Sequence, residues 1–222
     1  MQPPTTEVRR ASPAPIIGPE AIEAESFRII EAEIGPHPFS VIEWPVVQRA
    51  IHATADFDLG RSIMFHPRAV EAGIAALRKG CDVVADVQMV HAGISAGTLE
   101  KLGGHVRCYM ADPEVAERAT AQGTTRAIQC MRKAAREAPG AIYAIGNAPT
   151  ALLELVRLIE DGEAQVSLVI GVPVGFVSAA EAKVKLTEQG LVPYITNRGR
   201  KGGTPVAVSL TNALLRMAAQ GR

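Results

Sequence analysis

"AIYAIGNAPTALLELVRLIEDG", residues 141–162, contains the two patterns that decide the fold. Its first five residues are apolar without alternation and stop at Gly146. Such a run is too short for a stable helix and has the character of a strand buried on both faces. From Thr150 the period changes. Leu152, Leu155, Val156 and Ile159 recur at the spacing of one helical face, and Gly162 stands past the end. Pro149 suits the first turn of that helix, where its missing N–H costs nothing.

The same alternation extends in both directions. "CDVVADV" (81–87), "HVRCYM" (105–110), "VSLVIGVPV" (166–174) and "VPYIT" (192–196) are strand-like. Between and after them lie helical stretches at 94–104, 112–137 with an interruption near Gly123, 178–190 and 204–220. Strands alternating with helices predict an α/β fold, a mainly parallel sheet covered on both faces. Upstream of Cys81 only helices are predicted, at about 19–33, 44–55 and 67–79, an N-terminal helical segment. The polar, Pro-rich stretch 1–18 is expected to be a flexible tail, leaving one domain over 19–222.

Composition narrows the function classes. Lys and Arg number 23, as do Asp and Glu, so no overall field favours nucleic acid or a basic partner, and a charged ligand must be met by local groups. The three cysteines, Cys81, Cys108 and Cys130, show no metal-ligand spacing and no disulfide framework, which predicts a reducing cytoplasm and no metal site. No apolar run approaches the ~20 residues of a membrane span.

In a parallel sheet the strand-to-helix loops gather at the carboxyl edge, where open α/β sheets bind ligands. The predicted loops there are 86–93, 110–114, 145–150, 172–178 and 196–204. Each has an ordinary reading beside a functional one. "IGNAPTAL" is a well-formed turn with Asn147 able to cap, or a cradle for a carboxylate or phosphate. "TNRGRKGGT", with Arg198, Arg200 and Lys201 among three glycines, is a solvated basic loop, or an anion clamp in which Arg offers a two-pronged fork for carboxylates. Arg126, in the first turn of its helix in "GTTRAIQ", opposes the helix dipole, as chance placement or as a site for an anionic partner. Neither GxGxxG nor GxxxxGK[ST] occurs, which disfavours a nucleotide enzyme.

Upstream, "RAIHATADFD" (49–58) places Arg49 and His52 on one face of a helix over Pro45–Thr54, opposite Val47, Ala50 and Ile51. A solvated face is one reading, with His52 favoured at a helix C-terminus by ~0.3–1 kcal/mol. The other is chemical: an anionic ligand that neutralises Arg49 would leave His52 protonated and able to act as a general acid.

"PEAIEAESFRII", "VVQRAIHATADFD", "DVQMVHAGI", "GTTRAIQ", "AIGNAPTALLEL", "GVPVGFVSAAEAK" and "NRGRKGG" together, in this order over residues 19–217, resemble the precorrin-8X methylmutase family (precorrin isomerase) of cobalamin biosynthesis. The resemblance implies a three-layer α/β/α fold, a homodimer with its site near the interface, and no cofactor. It implies migration of a methyl group from C11 to C12 of precorrin-8X, giving hydrogenobyrinic acid, or of the cobalt form, giving cobyrinic acid. It assigns His52 as the catalytic proton donor and Ser26, Arg49 and Arg126 as substrate-binding. The motif loops add Gln88, Met89, Asn147, Thr150, Gly175, Arg198 and Arg200 as binding candidates. A corrinoid-binding protein of the same fold without catalysis is the alternative; an intact His52 and Arg49 argue against it.

Overall fold

The computed structural model describes residues 18–220. The Pro-rich tail predicted over 1–18 lies outside them apart from Gly18. Helix α1 (Pro19–Ile34) starts on a proline at its first turn and is followed by α2 (Trp44–Thr54), which does the same with Pro45. A six-residue helix, α3 (Phe57–Ser62), is capped by Asp56, whose Oδ1 accepts the Leu59 N–H at 2.9 Å. It runs into strand β1 (Ile63–Phe65) and then α4 (Ala69–Arg78). Neither α3 nor β1 is predicted from the sequence. "IMF" is a three-residue strand between helical patterns, too short to show a period.

From β2 (Val83–Ala85) the predicted alternation is present. The stretch predicted as a loop after it is partly helical, α5 (Gln88–Gly93), followed by α6 (Ala96–Leu102). Strand β3 shrinks to Val106–Arg107. The interrupted helix is two helices, α7 (Pro113–Ala121) and α8 (Arg126–Glu137). Strand β4 (Ala141–Ile145) coincides with "AIYAI", and α9 (Pro149–Glu160) follows. The chain ends with β5 (Val166–Gly171), α10 (Ala179–Glu188), β6 (Tyr194–Asn197) and α11 (Thr204–Ala219).

The sheet has the order β1-β6-β5-β4-β2-β3. Five strands are parallel; β1 joins the margin antiparallel to β6, with Ile63 opposite Asn197 and Phe65 opposite Ile195. Alternate strand residues divide between two cores, as a three-layer fold requires. Val83, Ile142, Ala144, Leu168 and Ile170 join α2, α4 and α11 on one face. Val84, Tyr143, Ile145 and Val169 join α8, α9 and α10 on the other. Leu152 and Leu155, on the face predicted for α9, are fully buried, each such side chain stabilising by about 1.5–3 kcal/mol.

The order has one reversal. From β2 the chain goes outward to β3, then returns across β2 to β4. The loops leaving β2 and β4 therefore diverge, and the crevice between their carboxyl ends is where folds of this kind bind ligands. No helix among the described residues is long and apolar enough to cross a membrane.

Candidate active site

Helix α2 buries Val46, Val47, Ala50 and Ile51, chiefly against α11, and turns Arg49 and His52 outward, as its spacing predicts. It ends on Ala55 in the left-handed region (φ 51°), whose N–H reaches the Ile51 carbonyl at 2.7 Å. A glycine normally takes that position, so Ala55 holds local strain one turn from His52. Lys201 Nζ donates to Asp56 Oδ2 at 2.7 Å, which ties the end of α2 to the loop after β6. The pair brings the helix terminus to the carboxyl edge of the sheet.

His52 is exposed in the single chain and lines two shallow grooves. One, of about 290 Å³, lies against α1 and includes Ser26, Ile29 and Glu33. The other, of about 330 Å³, lies against α11 and includes Arg49, Val208 and Asn212. The imidazole meets the Phe27 ring edge-on, centroids 5.3 Å apart, and the Arg49 guanidinium sits 4.9 Å from the centroid of that same ring. Ser26 donates its hydroxyl to the Ile22 carbonyl at 2.8 Å.

Arg49 is not waiting for a ligand to neutralise it. Glu23 takes it in a two-pronged pair at 2.8 and 3.2 Å and also approaches Arg216 at 3.5 Å. The Arg49 hydrogen bond, with the charges of Arg49, Arg216 and His52 behind it, holds the Glu23 carboxyl below its ordinary range. An internal carboxylate thus supplies the neutralisation expected of substrate, and a protonated His52 meets no uncompensated guanidinium at position 49. Glu23 precedes Ser26 by one helical turn in "EAESF", a spacing that places both on one face.

The remaining candidates occupy the carboxyl edge. Gln88 and Met89 open α5 and are exposed. The Thr125 and Thr150 hydroxyls lie 3.5 Å apart, joining the start of α8, and so Arg126, to that of α9. The Gly175 N–H donates to the Arg200 carbonyl at 3.2 Å, and the Arg200 guanidinium lies 5.7 Å from the Phe176 ring centroid. Arg198 is exposed, and its N–H bonds the Ser62 carbonyl at 2.9 Å. Among the described residues, Arg126, Arg198 and Arg200 have no carboxylate partner. Among the described residues no hydrogen bond or ion pair joins this edge group to the side chains of His52 and Ser26; Lys201, paired with Asp56 at 2.7 Å and Asp58 at 3.9 Å, ties the loop after β6 to the end of α2.

The crevice between β2 and β4 is already filled. The Asp86 carboxylate, buried there, accepts the N–H groups of Gly146 (3.1 Å), Asn147 (2.8 Å) and Ala148 (2.8 Å). "IGNAPT" is thus a carboxylate cradle whose occupant is the chain's own side chain. Asn147 does not cap α9 with its side chain; its backbone N–H is the group in use. Burial pushes the Asp86 carboxyl above its ordinary range, the three amides pulling it back only in part. A hollow of about 550 Å³ between α8 and α9, lined by Arg132, Arg136 and Arg157, is larger than the grooves at His52. Glu154 bonds Arg132 and Arg157 there, and Asp161 and Glu163 take Arg157 as well, leaving little free charge.

The precorrin-8X methylmutase (CbiC) family matches residues 21–217 of this sequence. The chain belongs to that family. A cobalt-precorrin-8 methylmutase from Priestia megaterium is 56% identical over 92% of this chain and 91% of its own length. One from Leptospira interrogans is 46% identical over 87% and 91%. The crystal structure of a precorrin-8X methyl mutase from Thermus thermophilus superimposes with a TM-score of 0.84 at 46% identity, covering 91% of this chain and 97% of that one. The chain is therefore an isomerase of cobalamin biosynthesis, a methylmutase that moves a methyl group within one molecule. All seven quoted motifs fall within or overlap the matched span.

Proposed function

We infer that this methylmutase acts on cobalt-precorrin-8, moving the methyl group from C11 to C12 of the ring to give cobyrinic acid, with His52 as the acid that lends its proton, or a hydrogen bond from it, to the ring. The observation that carries the reading is the position of His52. It is the residue shared by both grooves, at the end of α2 and beside a guanidinium already neutralised by Glu23. The migration is an isomerisation: one C–C bond breaks at C11, one forms at C12, and any proton lent is returned. In a metal-free ring a nitrogen lone pair can accept that proton. With cobalt in the ring those lone pairs are engaged, and the imidazolium acts by its charge and a hydrogen bond to the ring periphery. Either way the π-system becomes electron-poorer and the migration easier. Arg126, Arg198 and Arg200 suit the peripheral carboxylates, for which a guanidinium offers a two-pronged fork.

The cobalt form is favoured because the Priestia megaterium and Leptospira interrogans relatives, at 56% and 46% identity, bear the cobalt name, the first of them more similar to this chain than the Thermus thermophilus precorrin-8X enzyme at 46%. Side-by-side turnover of metal-free and cobalt-bearing substrate tests this. The expected result is a kcat/KM at least roughly tenfold higher for the cobalt form, a difference of about 1.4 kcal/mol. Equal values, or a preference for the metal-free ring, would reverse the assignment.

The site also needs a cover. Neither groove at His52 closes over a macrocycle, and apolar groups stand open on α1, at Ile22 and Ile29, and along the carboxyl edge, at Met89, Phe176 and Val177. A second copy of the chain would cover them, which is the homodimer the family resemblance implies. Light scattering should give roughly twice the 23.5 kDa chain mass at micromolar concentration. A single-chain mass throughout that range would remove the dimer. The three free cysteines suit a reducing compartment, and the cytoplasm is the proposed location.

A further inference from the structure

Lys183, on α10, is 1% exposed. Its ammonium donates to the backbone carbonyls of Gly199 at 3.0 Å and Lys201 at 2.5 Å, and no carboxylate among the described residues pairs with it. A buried cation without a counter-ion is costly, and burial lowers its proton affinity to a pKa of about 8. An apolar side chain there would fill the same space without an ammonium's desolvation cost but would leave the carbonyls it bonds short of a donor. What the ammonium touches is the loop that carries Arg198 and Arg200.

The loop is held from beneath at several points. Asn197 Nδ2 donates to the carbonyls of Arg198 (3.1 Å) and Lys201 (2.9 Å). The Gly203 N–H bonds the Val172 carbonyl at 2.9 Å. At Gly202 any Cβ would stand 2.2 Å from that carbonyl, so the backbone is pressed onto the end of β5. Lys183 and Asn197 thus turn the loop's carbonyls inward. With its carbonyls held inward and Lys201 committed to Asp56, the loop leaves Arg198 and Arg200 exposed and without an ion-pair partner among the described residues.

We propose that Lys183 is a positioning residue for substrate binding: its ammonium fixes the 198–203 loop by two carbonyl bonds so that Arg198 and Arg200 meet the carboxylates of the substrate ring. The proposal rests on the reading above, in which those arginines hold substrate. Lys183 lies at the end of "GVPVGFVSAAEAK", a motif whose glycine-rich half faces the site while its helical half would otherwise have only a packing role.

The test is a mutant cycle with the full chain and cobalt-precorrin-8, using Lys183→Met, the double variant Arg198→Ala/Arg200→Ala, and the triple combination. Lys183→Met is expected to raise KM about tenfold while kcat stays within about threefold. In the double-arginine background the same change should move KM by less than about twofold, because the groups it positions are gone. Full additivity in the triple variant, or a Lys183→Met that lowers kcat and leaves KM alone, overturns the role of Lys183. A double-arginine variant with normal KM overturns the clamp reading instead, and the inference with it. Thermal melts accompany each variant; should Lys183→Met lack a cooperative melt, Lys183→Gln replaces it in the same cycle with the same two outcomes.

Discussion

His52→Ala is expected to turn over substrate about 10²–10⁴-fold more slowly than the native chain, a loss of roughly 3–5 kcal/mol of barrier lowering. Binding of the product, followed by the change in its visible spectrum, should keep a dissociation constant within roughly threefold of native, since removing a group that acts only in the transition state spares the ground state. The separation is clean for a structural reason. His52 is exposed, and its one ring contact among the described residues is the edge of Phe27, so alanine there leaves α2, α11 and the core between them untouched. A variant that turns over within about threefold of native would remove His52 from the chemistry and leave the proton to another group.

Asp86→Ala should produce the largest loss of stability of any single change at the carboxyl edge. It strips three backbone N–H groups of their acceptor at the junction of β2, β4 and α9. At ~1–3 kcal/mol for each unsatisfied buried donor, with partial rescue by water at the half-buried ones, the expected cost is about 3–5 kcal/mol by denaturant unfolding. Asp86→Asn, which keeps one acceptor oxygen and points an amide at the other donors, should cost about half as much. The pH dependence carries a sign. The folded carboxyl lies above its ordinary value, so protonation favours the folded state. The contribution of Asp86 is fully present below the unfolded value near 3.8 and declines as pH rises through the folded one. The stability gap between native protein and Asp86→Asn should therefore widen as pH falls from 7 towards 4. A gap that narrows would show that the three amides, not burial, govern the group.

The parts of this architecture that were legible in the sequence share a property: their signal is local. "AIYAI" gives β4 to the residue because a strand buried on both faces needs no partner to look apolar. The outward face of α2 follows from spacing alone, and so does the neighbourhood of Arg49 and His52. What was missed is set by contacts distant in the chain. Strand β1 exists because Ile63–Phe65 pair with β6 more than a hundred residues away, and three residues show no period of their own. Asp86 carries no local mark of its role, because its partners lie sixty residues on and are backbone groups. Glu23 reads as one of several acidic residues on an exposed helix until Arg49 is placed beside it. Lys183 sits in a helix whose other lysine, Lys185, is exposed, and no local feature marks it as the buried one. The motifs compensated in part, since they identify residues by order along the chain without needing the contacts.

The sheet ends in two residues of β3 on one side and three of β1 on the other. An intruding strand needs a longer ladder of unpaired amides and carbonyls than either margin presents, so zippering of chains edge to edge finds almost no template. In the homodimer proposed above, two copies would therefore meet through side chains on helices and turns, a contact that can be tuned or broken one residue at a time without disturbing the sheet beneath.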